Sequence, residues 1–160
     1  PKENNVINII PESKELGYVG TPKKINKEKI LNFINNKQIP IVVPLGLGDD
    51  GRIYNINADV AAGSIAKEID ARRLLLMTDV EGVLDQNQKL ISEINLNKAN
   101  EMLKNNIISG GMIPKINTCL DAISNGVRGV VIVDGRKPHS ILFELFSDKG
   151  AGTLIRKWII

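Results

Sequence analysis

Four short polar clusters hold the residues of this 160-residue chain that could do chemistry: Asn55-Ile56-Asn57-Ala58-Asp59, Thr78-Asp79-Val80-Glu81-Gly82, Gly110-Gly111-Met112-Ile113-Pro114-Lys115 and Asp134-Gly135-Arg136. The third is the most suggestive. Its two glycines allow a ligand to approach the backbone, the helix start that follows presents free N–H groups and a partial positive charge, and Lys115 adds a full charge one turn in. Pro114 suits a first helical turn, where no N–H partner is needed. That combination fits a phosphate. No Ser, Cys or Lys nucleophile is paired with a histidine base, no Walker phosphate loop is present, and Gly46-Leu47-Gly48 is only half a dinucleotide fingerprint, with Gly51 following where a helix should open. Phosphoryl transfer proceeds mainly by positioning and charge neutralisation. A basic residue at a helix start, a nearby acid and glycine-lined strand ends meet that demand.

Each feature also has a structural reading. Gly110-Gly111 can be a plain loop, and Asp59 in a first helical turn can complement the helix dipole. Asp79 and Asp134 can be caps or turn residues, and His139, the lone histidine, can cap a helix or sit on the surface. No cluster supports metal binding by side chains.

The elements that must position these residues follow from apolar spacing. Segment 1–24, with Pro11, Gly17, Gly20 and Pro22, reads as irregular or edge structure. Helical spacing of Ile30, Leu31, Phe33 and Ile34 predicts a helix over 26–36. The apolar run 39–45, closed by Gly46, reads as a buried strand, and 52–55 as a strand returning from the turn at 48–51. A helix over 58–69 has Asn57 as its N-cap. A buried strand over 73–78 precedes a turn at 85–88, a short strand over 90–94, a helix over 96–107 and another over 113–125 with Ile116, Cys119, Leu120 and Ile123 on its apolar face. A strand over 130–133, a helix over 139–146 and a strand over 153–155 complete the chain. Apolar strands alternating with helices predict an α/β sandwich with a largely parallel sheet. Ligands in such sheets sit beyond the carboxyl ends of the strands, where the polar clusters fall.

Composition narrows the function classes. At 42% hydrophobic and 24% charged the chain reads as an ordinary soluble domain. No apolar run approaches the roughly 20 residues of a membrane helix, and a start at Pro1 without Met, lacking signal-peptide character, reads as a fragment or processed product. One cysteine, Cys119, allows no intrachain disulfide and points to a reducing compartment. A net charge of +3 with scattered basic residues and 4% aromatics argues against nucleic acid and suits small anions such as nucleotides. Richness in Asn, Ile and Lys suggests an AT-rich genome, hence a bacterial cytoplasm or a plastid stroma.

Pro44-Leu45-Gly46, Asp50-Gly51, Tyr54 to Asp59, Thr78 to Asp85, Gly110 to Lys115, Asp134-Gly135-Arg136 and Gly152-Thr153 together resemble, in order and spacing, the C-terminal half of the N-acetylglutamate kinases of the amino-acid kinase family. The resemblance runs from about Leu16 to Ile155. It implies a three-layer α/β sandwich in which 25–160 form the ATP-binding lobe and 1–24 come from the middle of the family pattern. It further implies transfer of the γ-phosphoryl group of ATP to the side-chain carboxylate of N-acetyl-L-glutamate, in arginine synthesis. By position, Lys115 would stabilise charge on the phosphates and Asp59 would orient catalytic lysines. Asn55 and Asn57 would contact the acceptor, and Thr78, Asp79, Gly82, Gly110, Gly111 and Met112 would line the nucleotide site. Mg2+ would be held chiefly by the phosphates. Partners implied by the resemblance are the two substrates, a second copy of the chain and the nitrogen-sensing PII protein. The apolar end Trp158-Ile159-Ile160 reads as a tail, a crystal contact or an oligomer surface. An aspartate or uridylate kinase of the same family, or a non-catalytic module that docks PII, are the alternatives.

Two departures from the family pattern stand out. The N-terminal half, with its glycine-rich loops, a second catalytic lysine and most of the acceptor pocket, has no counterpart in these 160 residues. In arginine-inhibited members the segment 139–152 meets the effector, which would involve His139, Asp148 and Gly150; here Lys149 stands where many members have Glu, and would repel a guanidinium. The resemblance therefore predicts that the chain by itself binds nucleotide weakly and shows no turnover in a steady-state kinase assay. Activity at ordinary rates would overturn that expectation.

Overall fold

A computed structural model describes residues 17–158, so what the sequence suggests for segment 1–16 and for Ile159 and Ile160 lies outside the described residues. The chain divides into two units, Pro1–Ala61 and Ala62–Ile160.

In the first unit, strands β1 (Val19–Gly20), β2 (Leu45–Leu47) and β3 (Ile53–Ile56) form a sheet in the order β1-β3-β2. Strand β1 lies parallel to β3 at the sheet edge, and β2 is antiparallel to β3. Helix α1 (Lys27–Asn35) starts where Asn26 accepts a hydrogen bond from the Lys29 N–H, 2.9 Å. A tight turn joins β2 to β3. Asp50 closes it by accepting from the Arg52 N–H and the Tyr54 hydroxyl, at 3.1 and 3.0 Å, and the backbone bond lowers the Asp50 pKa most. One expectation fails here. Residues 39–43 form no strand, and Ile39 and Ile41 are 90% and 93% exposed. Pro40 and Pro44 remove two backbone donors from the segment, and the ladder to β3 begins only at Leu45.

The second unit holds the large apolar core. Helix α2 (Ala58–Glu68) leads into β4 (Arg73–Thr78), β5 (Glu93–Asn95), α3 (Leu96–Lys104), α4 (Met112–Ser124), β6 (Gly129–Asp134), α5 (Ser140–Phe146) and β7 (Gly152–Arg156). The sheet order is β4-β6-β7-β5. Pairs β4·β6 and β5·β7 are parallel and β6·β7 is antiparallel, so parallel pairing predominates around one reversed contact. Every residue of β6 is buried, which is why it reads as an unbroken apolar run. Ile116, Cys119, Ala122 and Ile123 of α4 pack into the core with Val130 and Ile132 of β6, Leu74 and Leu76 of β4, and Ile155 of β7. The predicted strand at 90–94 is shifted: Leu90 makes a single bridge to Leu84, and the ladder runs over β5. Helix α3 stops earlier than its apolar spacing suggests, capped by Asn105 and followed by Asn106 at φ 55°.

Helix α5 inverts the usual pattern. It buries Ser140 and Glu144 and exposes Leu142, Phe143, Leu145 and Phe146. Glu144 is held by Arg73 Nη1 at 3.3 Å and by the Ala151 N–H at 2.9 Å, so its burial is compensated.

Two adjacent residues of β7 fix the loop that follows β4. A Cβ on Gly152 would lie 2.0 Å from the Ile132 carbonyl oxygen, so only glycine allows β7 to pass there. Thr153, fully buried, accepts from the Val83 N–H (2.8 Å) and donates to the Ile91 carbonyl (2.6 Å). Replacing Thr153 by Val should leave both groups unpartnered and destabilise the chain by about 1–3 kcal/mol. Urea unfolding followed by circular dichroism checks this, and an unchanged midpoint would contradict it.

Candidate functional site

Within the first unit, Asn55, Asn57 and Asp59 fall at the end of β3 and the start of α2. Asn55 donates its backbone N–H to the Tyr18 carbonyl at 2.7 Å. The Asn57 side-chain oxygen accepts from the N–H groups of Asp59 (2.9 Å) and Val60 (3.3 Å). Asn57 is therefore the N-cap that helix-start chemistry predicts. Its amide NH2 is not used by those two bonds. Asp59 is half-buried in the first turn of α2.

Within the second unit, one group of predicted residues meets at the carboxyl ends of β4 and β6. Thr78 and Asp134, the last residues of these parallel strands, are register partners. The Thr78 hydroxyl donates to Asp79 at 3.2 Å, and the Gly135 N–H donates to the Thr78 carbonyl at 2.8 Å. Asp134 is buried and accepts three bonds from Arg136, from its backbone N–H, Nε and Nη2, each 3.0 Å. Lys137 pairs with Glu81 at 2.5 Å. The Arg136 side chain, then its backbone N–H, holds the Asp134 carboxyl down at about 2 against the ordinary 3.8, although burial acts the other way. The same pairing raises the Arg136 pKa, with Asp79 and Glu81 adding to it.

A second group opens α4. Gly110 sits at φ 54° and Gly111 is the N-cap, without a side-chain capping bond. A Cβ at either glycine would meet nothing within 4 Å, so the backbone there is approachable. The free N–H groups expected from the sequence are not found: Met112 and Ile113 donate to the Ser109 and Gly110 carbonyls at 3.3 and 3.2 Å, and Pro114 has no N–H. Lys115 is half-buried one turn in, and Met112 packs against the core.

Gly82 has a different surrounding. It lies at φ 146°, and a Cβ there would come 2.6 Å from the Thr153 hydroxyl and 2.7 Å from Leu90. Packing on Thr153 by itself requires a glycine at this position.

The predicted regulatory residues are only partly gathered. A cavity of about 230 Å3 is lined by Asp148, Lys149 and Gly150, with Arg73, Glu93, Glu144 and neighbours. His139 is not among the lining residues; it is exposed at φ 60° just before α5 and makes no side-chain capping bond. Arg73 and Glu144 were not anticipated from the sequence. Glu144 lies one turn after Ser140, and that i, i+4 polar pair between apolar neighbours was the available signal. Among the described residues no group of three or more His, Cys, Asp or Glu side chains could hold a metal ion, and no helix is long and apolar enough to cross a membrane.

A sequence model of the amino acid kinase family matches residues 3–134. The chain belongs to this family. Among amino acid kinase relatives, it is 60% identical over 156 residues to the acetylglutamate kinase of Pelagibacter ubique (strain HTCC1062), a match covering 98% of this chain and 54% of that protein. It is 50% identical over 159 residues to the acetylglutamate kinase of Clostridioides difficile (strain 630), covering 97% of this chain and 56% of the relative. The chain thus spans about half the length of the curated relatives it matches. A crystal structure of N-acetylglutamate synthase from Neisseria gonorrhoeae, complexed with coenzyme A and L-arginine, superposes with a TM-score of 0.83 at 26% identity, over 88% of this chain and 33% of that one.

The Asp134–Arg136 pair gives a pH prediction. The Asp134 pKa in the folded chain lies below the ordinary 3.8, so the stability that the pair contributes is fully present above 3.8 and is lost as pH falls through about 2. Asp134→Asn should be less stable at neutral pH and lose less stability between those two values. Urea midpoints measured across that interval check it, and equal acid slopes for the two proteins would count against it.

Proposed function

We propose that this amino acid kinase family chain is the nucleotide-binding part of an enzyme that transfers the γ-phosphoryl group of ATP to the side-chain carboxylate of N-acetyl-L-glutamate. The observation that carries the reading is the opening of α4, a helix start with no side-chain cap, two glycines leaving open space and Lys115 one turn in. Such a start suits the phosphates of a nucleotide. Near-complete coverage of this chain at 60% identity by an acetylglutamate kinase supports the choice of acceptor.

In the proposed reaction a carboxylate oxygen of the acceptor attacks the γ-phosphorus, the bond to the β–γ bridging oxygen breaks, and ADP leaves with that electron pair. The carboxylate is already anionic at neutral pH, so no general base is needed. Lys115 would offset the charge that builds on the phosphates. Asn55 and Asn57 would hold the acceptor, Asn57 through the amide NH2 that capping leaves over. Asp59 would orient catalytic lysines, and Thr78, Asp79, Gly82, Gly110, Gly111 and Met112 would belong to the nucleotide site. Mg2+, coordinated mainly by phosphate oxygens and water, would supply further charge neutralisation.

The cavity beside Glu144 favours a second, regulatory role. It would take L-arginine, the ligand named with the Neisseria synthase structure, with its carboxylates facing the guanidinium and Lys149 opposing it. Calorimetry should show tighter arginine binding to Lys149→Glu than to the parent chain; equal or weaker binding would refute this assignment.

Grafting these 160 residues onto the complementary part of the Pelagibacter relative tests the main reading. The hybrid should phosphorylate N-acetyl-L-glutamate and neither aspartate nor uridylate. Lys115→Ala should lower its kcat on the order of a hundredfold or more. Preference for another acceptor, or an unchanged kcat in the variant, would refute the assignment.

A further inference from the structure

The Asp134-Gly135-Arg136 cluster is left without a role by the reaction above, yet it lies in the same strand-end group as Thr78 and Asp79. Its guanidinium is held on one edge only. Asp134, 2% exposed at its side chain, takes Nε and Nη2 at 3.0 Å, while the Arg136 side chain remains 65% exposed. A fork pairing of this kind fixes the plane of the group. The planar faces, both Nη1 hydrogens and one Nη2 hydrogen are not used by Asp134.

The surrounding charge indicates what those free faces can accept. Arg136 feels Asp79 and Glu81 in addition to Asp134, and Lys137 is paired with Glu81. The cluster therefore sets three carboxylates against two cations. A polyphosphate would meet a net negative surface here, whereas an uncharged aromatic base or a ribose would not. The α4 opening, with Lys115, has the opposite character and no carboxylate in its first turn.

We propose that Arg136, fixed by Asp134, is a binding residue for the nucleoside end of the nucleotide, its guanidinium face lying against the base. Stacking of a guanidinium on an aromatic ring is favourable and does not need a charged partner. Asp134 is the positioning residue in this arrangement. The proposal rests on the reading that the chain binds a nucleotide at all, and the test separates the two.

The parent chain, Arg136→Ala, Arg136→Lys and Lys115→Ala are each titrated with ATP and with adenosine, followed by amide NMR shifts. Arg136→Ala should weaken both ligands by the same factor, roughly five- to tenfold. Arg136→Lys keeps a cation beside the buried Asp134 and guards against misfolding of the first variant. It lacks the planar group and should lose a similar factor for both ligands while its amide spectrum away from the cluster stays that of the folded parent. Lys115→Ala should weaken ATP and leave adenosine as it was. Adenosine binding that is unaltered in both Arg136 variants, including the case where only ATP is weakened, would overturn the proposal while leaving the nucleotide reading intact. A parent chain that binds neither ligand would remove the nucleotide reading and this inference with it.

Discussion

Strand β6 is enclosed along its whole length, paired with β4 on one edge and β7 on the other, and buried on both faces. Each of its residues must therefore be apolar, be small, or find its hydrogen-bond partners locally. Gly129 to Val133 satisfy the first two conditions. Asp134 satisfies the third, because a buried carboxylate is tolerable only with its lone pairs occupied, and the chain supplies Arg136 two residues later. The strand-end chemistry of the second unit thus follows from a packing constraint. An acid at the end of a fully buried strand demands a guanidinium, and the guanidinium is then available to a ligand.

The antiparallel placement of β7 extends this dependence to the loop after β4. The strand passes so close to β6 that position 152 must be glycine, and its next residue offers a hydroxyl that serves both Val83 and Ile91. Gly82 is then needed for Thr153 to fit. Gly82, which looks like a ligand-contact position in the sequence, is on this account required first by its meeting with the Thr153 and Leu90 side chains. Gly110 and Gly111 differ, since open space lies where their side chains would be.

Much of this was legible in the sequence, for identifiable reasons. Strand β4 and helix α4 carry dense apolar patterns bounded by polar or turn residues, and both lie where those patterns place them. Asn57 was readable as a cap because its side chain competes for helical N–H groups. Strand direction was not readable, since an apolar run is the same whether its neighbour runs parallel or antiparallel. Residues 39–43 misled because an apolar run becomes a buried strand only when something covers and pairs with it, which local spacing does not encode. Glu144 escaped notice for the converse reason: its buried place depends on Arg73, distant in sequence. The glycine-lined start of α4 with Lys115 one turn in was visible from residue types, while the special position of Arg136 required the geometry of its pairing.

The exposed stretch at 39–43 bears on how the chain behaves at high concentration. Ile39, Ile41, Val42 and Val43 form a short β-prone segment of the sort that recruits further strands and leads to fibres or precipitates. Pro40 interrupts it and Pro44 follows it directly. Neither can donate a backbone hydrogen bond, so an incoming strand would find gaps in the row of donors it needs. The same two prolines that keep this segment out of the ladder act as gatekeepers against self-association.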